Sequence, residues 1–277
     1  MANITASQVN ELRKKTGAGM MDCKKALVEA DGDMEQAIDL LRKKGQKVAA
    51  KRGDNEASEG LVIATTTNGG KTGILLALNC ETDFVAKNDE YRAFVDSLVK
   101  IAVDNLPSTV EELKGLKYDD TLTVEEKITD QVGKVGEKLD LSAYEVINAE
   151  QVVAYNHPGN QLATLVGFNK AGEVVAESGR QVAMQVAAMA PIALNKDGVD
   201  QDTINRELEV GKELAIQEGK PADMAEKISQ GRLNKFFKEN TLLSQPFVRD
   251  NKLTVEEFLK DTDSELTVTD FKRVSLK

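Results

Sequence analysis

Apolar positions along the chain change their period repeatedly. Through residue 53 they recur at steps of three and four, the mark of amphipathic helices. Thr5 with Gln8 forms a capping-box start. Val9 and Leu12 then make an apolar stripe that ends where Thr16-Gly17-Ala18-Gly19 breaks the helix. A second helix starts at Met20 or Met21 and runs to Ala30, with Ala26 and Leu27 facing inward. Asp31-Gly32-Asp33 is a turn, and Asp33 with Gln36 caps a third helix whose buried side is Ala37, Ile38, Leu40 and Leu41. Residues 44–58 are polar and small and read as a linker.

From Glu59 the period becomes strand-like. Residues 61–65 are one strand, Asn68-Gly69-Gly70 signals a hairpin turn, and residues 73–78 are its wholly apolar partner. The connection Cys80-Glu81-Thr82-Asp83-Phe84-Val85-Ala86-Lys87-Asn88 follows. A helix then carries Tyr91, Phe94, Val95, Leu98 and Ile101, and shorter helices lie near 109–115 and 124–138, the latter with a Thr123–Glu126 capping box. The order repeats in a strand over 152–155, a turn at His157-Pro158-Gly159-Asn160, a strand over 162–168 and a helix over 173–189. This reads as an internal duplication of an α+β unit. In the second copy only Lys170-Ala171-Gly172 joins strand to helix. The longer connection of the first copy is not needed to close the fold, which marks it as a candidate working part.

Residues 200–237 read as a helical hairpin with a narrow seam of Ile204, Leu208, Gly211 and Ala215. Gly219-Lys220-Pro221 is its tip, and Ala225, Ile228 and Phe236 line the return helix. Each arm would be ~30 Å long at 1.5 Å per residue, so the hairpin is expected to project. An amphipathic helix near 253–260 and a strand over 268–271 close the chain. The expected class is α+β in four parts. Residues 1–54 form a three-helix module and linker, and 55–140 a first core subdomain. Residues 141–198 and 238–277 form a second, and 199–237 the coiled-coil hairpin.

The formal net charge of −10 is unevenly spread: residues 1–53 carry +4 and the remainder −14. An acidic body repels phosphates and argues against general nucleic-acid binding. The basic first segment suits RNA, an acidic protein surface or plain solvation. The two cysteines, Cys23 and Cys80, lack paired or metal-ligand spacing, as befits a reducing compartment. One histidine, His157, excludes multi-histidine metal sites. Phosphate-loop, dinucleotide and nucleophile-elbow motifs are absent, and no carboxylate pair stands out by spacing. The first residues lack a secretory pattern and no apolar run approaches 18 residues, so the expectation is a cytoplasmic protein without a membrane span.

The three-helix module resembles a ubiquitin-associated domain. Three segments together resemble the elongation factor Ts family of bacterial translation factors: TGAGMMDCKKAL at 16–27, NCETDFVAK at 79–87, and residues 219–248, which hold GKPADMAEKISQGRLNKFF and LLSQPFV. Their order and spacing match, and the resemblance spans nearly the whole chain. Longer members of that family continue past the last strand with a further helical module.

The resemblance implies a guanine nucleotide exchange factor, not an enzyme, whose partner is elongation factor Tu carrying GDP and Mg2+. It implies that Thr82, Asp83, Phe84 and Val85 dislocate the partner's Mg2+. Phe84 would be the wedge, Asp83 would act on a partner loop, and Thr82 and Val85 would shape the turn. Arg13, Met20, Met21, Lys24, His157 and Val248 would touch the partner, and no cofactor, metal, nucleic acid or membrane is implied. A homodimer through the hairpin or a 2:2 complex is left open. Taken alone, a loop phenylalanine more often reads as a buried anchor, here against Tyr91 or Phe94. Met20 or Met21 reads as core, Val248 as a core strand residue and His157 as an exposed turn residue. The rival readings are a ubiquitin-associated-type adaptor, an RNA- or ribosome-associated protein, and an enzyme with an unmarked carboxylate site.

Overall fold

A computed structural model describes residues 4–276. It is a mixed helix-and-sheet protein that divides into two compact units. One holds the chain up to Ile63, Leu76–Glu145 and the end of the chain from Ser275; the other holds Ala64–Leu75 and Val146–Val274.

The first unit begins with helices α1 (Ala6–Thr16), α2 (Met20–Glu29) and α3 (Met34–Arg52). The Thr5–Gln8 capping box is present, and Asp33 accepts from the Gln36 N–H to cap α3. Gly17 ends α1 with φ 68, a left-handed position that glycine takes without strain. Val9, Leu12, Cys23, Ala26, Leu27, Ala30 and Ala37 close a small core, with Ile38, Leu40 and Leu41 half-buried against it. Fully buried leucines such as Leu12 and Leu27 each contribute on the order of 2 kcal/mol.

The expected linker over 44–58 is corrected here, because α3 continues through Arg52. Its lysines and alanines favour helix. Gly45 is buried where a later helix crosses.

Strands β1 (Glu59–Thr67) and β2 (Thr72–Cys80) follow, then α4 (Asp83–Ala86), α5 (Asp89–Asn105), α6 (Val110–Gly115), α7 (Val124–Val135) and β3 (Leu139–Asn148). The strands form one sheet in the order β1-β2-β3. On α5, Tyr91, Phe94, Val95, Leu98 and Ala102 are buried, and Ile101 is only half-buried. Gly136 stops α7 in a left-handed conformation, three residues short of the expected 138. The sequence offered no expectation for β3, since Leu139 and Leu141 alternate with polar residues too briefly before Ala143-Tyr144-Glu145 interrupts the pattern.

The second unit contains β4 (Gln151–Asn156) and β5 (Leu162–Phe168), antiparallel with Gln151 opposite Phe168 and Asn156 opposite Ala163. It continues with α8 (Glu173–Met189), α9 (Gln201–Gln217), α10 (Ala222–Asn240), β6 (Pro246–Phe247), β7 (Asp250–Thr254), α11 (Val255–Thr262) and β8 (Val268–Ser275). The sheet order is β4-β5-β8, and β8 extends beyond the expected 268–271. Val166, Phe168, Val182, Val186, Leu242, Phe247, Leu259 and Val268 belong to its core.

Helices α9 and α10 pair as a hairpin. Gly211 and Ala215 are buried in its seam, with Ile204 and Leu208 half-buried. Across it lie buried Ala225, Ser229 and Leu233 and half-buried Ile228 and Phe236. Ser229 Oγ donates to the Leu208 carbonyl. Gly211 leaves room for this approach, since a Cβ there would lie 3.3 Å from the Ser229 Cα.

Candidate functional site

The connection after β2 is not irregular. It holds α4, a single helical turn, and Thr82 is the N-cap. Threonine suits this place because its hydroxyl can accept an otherwise orphaned backbone N–H. The Thr82 hydroxyl accepts from the Val85 N–H at 3.5 Å and donates to Glu137 Oε1 at 2.7 Å. Its own N–H donates to Glu137 Oε2 at 3.0 Å. The Thr82 carbonyl accepts from the Cys80 thiol at 3.2 Å and from the Ala86 N–H at 3.2 Å.

The residue before it is gripped as firmly. Arg52 Nη1 lies 2.9 and 2.8 Å from the two Glu81 oxygens, Asn55 Nδ2 donates to one of them at 2.9 Å, and the Lys138 N–H donates to the other. The Lys138 N–H, then Arg52 and Asn55, hold the Glu81 carboxyl below its ordinary range. Burial pushes the Cys80 thiol up to about 11, with the Glu137 charge adding to the rise. Tyr91 Oη donates to the Leu78 carbonyl at 2.6 Å and ties α5 to β2.

On this braced turn Phe84 is 83% exposed. It is not the buried anchor on Tyr91 or Phe94 that a lone loop phenylalanine suggests. Burying such a side chain is worth on the order of 2–3 kcal/mol, which is forgone in the free chain and available to a partner. Ala86 is buried and pins the far end of the turn, while Val85 is half-buried. Asp83 pairs with Lys87 at 2.6 Å, and the hydrogen bond from Lys87 holds its carboxyl below its usual range. Asn88 caps α5 by accepting from the Glu90 N–H at 2.7 Å. A cleft of about 330 Å³ lies beside the turn, lined by Val85, Tyr91, Phe94, Val135, Leu139 and Gly17 at the end of α1.

Arg13, Met20, Met21 and Lys24 are all exposed, and neither methionine fills the core. Met20, Met21 and Lys24 lie three and four residues apart on one face of α2. Val28, exposed one turn further on, continues that face; the same spacing in the sequence would have found it.

In the second unit His157 is exposed in the β4–β5 turn, its Nδ1 3.0 Å from Tyr155 Oη. Val248 is exposed in the β6–β7 turn, so the core-strand alternative does not hold. Its N–H donates to buried Gln185 Oε1 at 2.9 Å, while Gln185 Nε2 donates to the Pro246 carbonyl at 3.1 Å. Sequence reasoning missed Glu81, Glu137 and Arg52, whose partners are far away along the chain. Among the described residues no group of three or more His, Cys, Asp or Glu could hold a metal ion, and no helix is long and apolar enough to cross a membrane.

Comparison with known proteins gives a consistent picture. The family model described as "Elongation factor TS" matches residues 81–277. The chain is 54% identical over 272 residues to a protein named elongation factor Ts from Amoebophilus asiaticus, covering 98% of each chain. It is 50% identical to one from Cytophaga hutchinsonii and 49% identical to one from Christiangramia forsetii, each covering 100% of both chains.

Proposed function

The chain belongs to the elongation factor Ts family, and from that premise we propose that it binds elongation factor Tu carrying GDP, displaces the partner's Mg2+ and so releases GDP. Membership implies a nucleotide-exchange role in translation elongation. The finer mechanism rests on one observation, the 83% exposed Phe84 on a turn held by Glu137 and Arg52.

Exchange needs no bond chemistry, only differential affinity. A factor that binds the nucleotide-free partner more tightly than the GDP-bound partner lowers GDP affinity by the same ratio. Mg2+ demands near-ideal octahedral geometry, so small displacements of its ligands weaken it. A rigid aromatic wedge can force that displacement at small entropic cost. We assign Phe84 the wedge role and Asp83 a polar role in reordering a partner loop. Thr82 spends its hydrogen-bonding groups inside the chain, which suits a shaping role, and Val85 shares it.

Arg13, Met20, Met21 and Lys24 would seat the first unit on the partner; adaptable methionines suit such a surface. His157 and Val248 would do so for the second. In this reading α1–α3 form a ubiquitin-associated-like module, the two sheet-and-helix units are duplicates, and α9–α10 is a coiled-coil hairpin that projects. The four segments remain 1–54, 55–140, 141–198 with 238–277, and 199–237. The protein acts in the cytoplasm without binding nucleic acid or a membrane.

The test is stopped-flow release of fluorescent GDP from elongation factor Tu on mixing with excess unlabelled nucleotide. Acceleration by orders of magnitude is expected when the chain is added. No acceleration would favour the adaptor reading instead.

A further inference from the structure

We propose that Glu137 is a positioning residue: by holding Thr82 at two points, it sets the pose in which Phe84 meets the partner. This rests on the reading of residues 82–85 as the working turn.

A four-residue helix is far below the length at which helix stabilises itself, so α4 takes its orientation from its anchors. The chief anchor is Thr82. Both of its donors, the backbone N–H and the hydroxyl, end on the two oxygens of one carboxylate, at 3.0 and 2.7 Å. Two parallel bonds to a charged acceptor fix rotation as well as distance. One bond would fix residue 82 less tightly in rotation, and Phe84 with it.

Glu137 is aimed by its own neighbours. Gly136 ends α7 at φ 77, a conformation that turns the chain at once into β3. The next residue, Lys138, offers its N–H to Glu81. Two successive residues after α7 therefore grip two successive residues before α4. Phe84 itself, 83% exposed, has no comparable hold.

Glu137→Gln tests the idea with minimal change of shape. An amide accepts through one atom and donates through the other, so the Thr82 N–H keeps an acceptor while the Thr82 hydroxyl must turn its proton away and accept instead, and the charge that strengthens both bonds is gone. Stopped-flow GDP release from elongation factor Tu would be measured across concentrations of the full chain for wild type, Glu137→Gln, Glu137→Asp, Phe84→Ala and Phe84→Ala with Glu137→Gln.

Glu137→Gln is expected to lower the maximal release rate about tenfold and to move the half-saturating concentration by less than about threefold. Glu137→Asp, which keeps both acceptors, is expected to recover part of the loss. In the Phe84→Ala background the same Glu137→Gln change should alter the maximal rate by less than about twofold, because there is no ring left to position.

An equal loss in both backgrounds, or a loss confined to the half-saturating concentration, would show that Glu137 acts on folding or general binding and would overturn the proposal. If Phe84→Ala loses activity while Glu137→Gln matches wild type, positioning fails alone. If Phe84→Ala itself matches wild type, the working-turn reading falls and takes this inference with it.

Discussion

Gly45 of α3 and Gly133 of α7 cross so closely that a Cβ on Gly133 would lie 2.6 Å from the Cα of Gly45. The relation is not symmetric: a Cβ on Gly45 would lie 3.5 Å from the Cα of Gly133, an ordinary contact. Alanine should therefore be tolerated at one position and not at the other. Gly45→Ala is expected to be neutral or to stabilise by up to ~1 kcal/mol, through helix propensity. Gly133→Ala gains the same propensity but drives a methyl into backbone that cannot rotate away, and a net loss of about 1–3 kcal/mol is expected. Chemical denaturation of the two variants checks this; equal effects would mean the helices do not cross as described.

The grip on Glu81 gives a pH dependence of definite sign. Its carboxyl is held below its ordinary range in the folded chain by the Lys138 N–H and then Arg52. A group with a depressed folded pKa stabilises fully above its unfolded value, about 4.3 for glutamate, and loses that contribution as pH falls through the depressed value. Glu81→Gln is thus expected to lower the thermal midpoint at pH 7. The gap between variant and wild type should narrow progressively below about pH 4. A gap that persists unchanged to pH 3 would show that the carboxylate charge is not what matters.

Both cysteines are buried and free, and burial pushes the Cys80 thiol up to about 11. The thiolate is the reactive form. A thiol reagent at pH 8 should therefore label neither cysteine promptly in the native chain and both after denaturation. Prompt labelling of Cys80 would indicate local opening around the β2–α4 turn.

Exposed residues can be altered without unfolding the chain, which separates binding from stability. Met21 is 61% exposed on the face that carries Lys24. Met21→Ala is expected to weaken the complex with elongation factor Tu by about 1 kcal/mol, with no change in thermal midpoint. Calorimetric titration beside a melting curve measures both. Unchanged affinity would remove this face from the interface.

What could be read from the sequence was what is settled within a few residues. The caps at Thr5, Asp33 and Thr123 are such features, as are the turn at Asn68 and the α9–α10 tip at Gly219. The turn over 82–85 stood out because the corresponding connection at 170–172 is so short. Features set by distant partners were invisible. Gly45 is one small residue of an expected linker until Gly133 is known to lie against it. Glu137 is one glutamate among many until it is found on Thr82. Whether Phe84 points inward or outward is set by the partners of Tyr91 and Phe94, which are the Leu78 carbonyl and Tyr118, and no local pattern records them.

Whether exposed Phe84 does the work of exchange is decided by the maximal rate of GDP release from elongation factor Tu at saturating Phe84→Ala, with the affinity of that complex measured alongside. The expected result is a maximal rate lower by several-fold or more, with the complex still forming, since only a contact made as GDP leaves has been lost. A Phe84→Ala chain that binds elongation factor Tu and drives GDP release at the wild-type rate would contradict the wedge role.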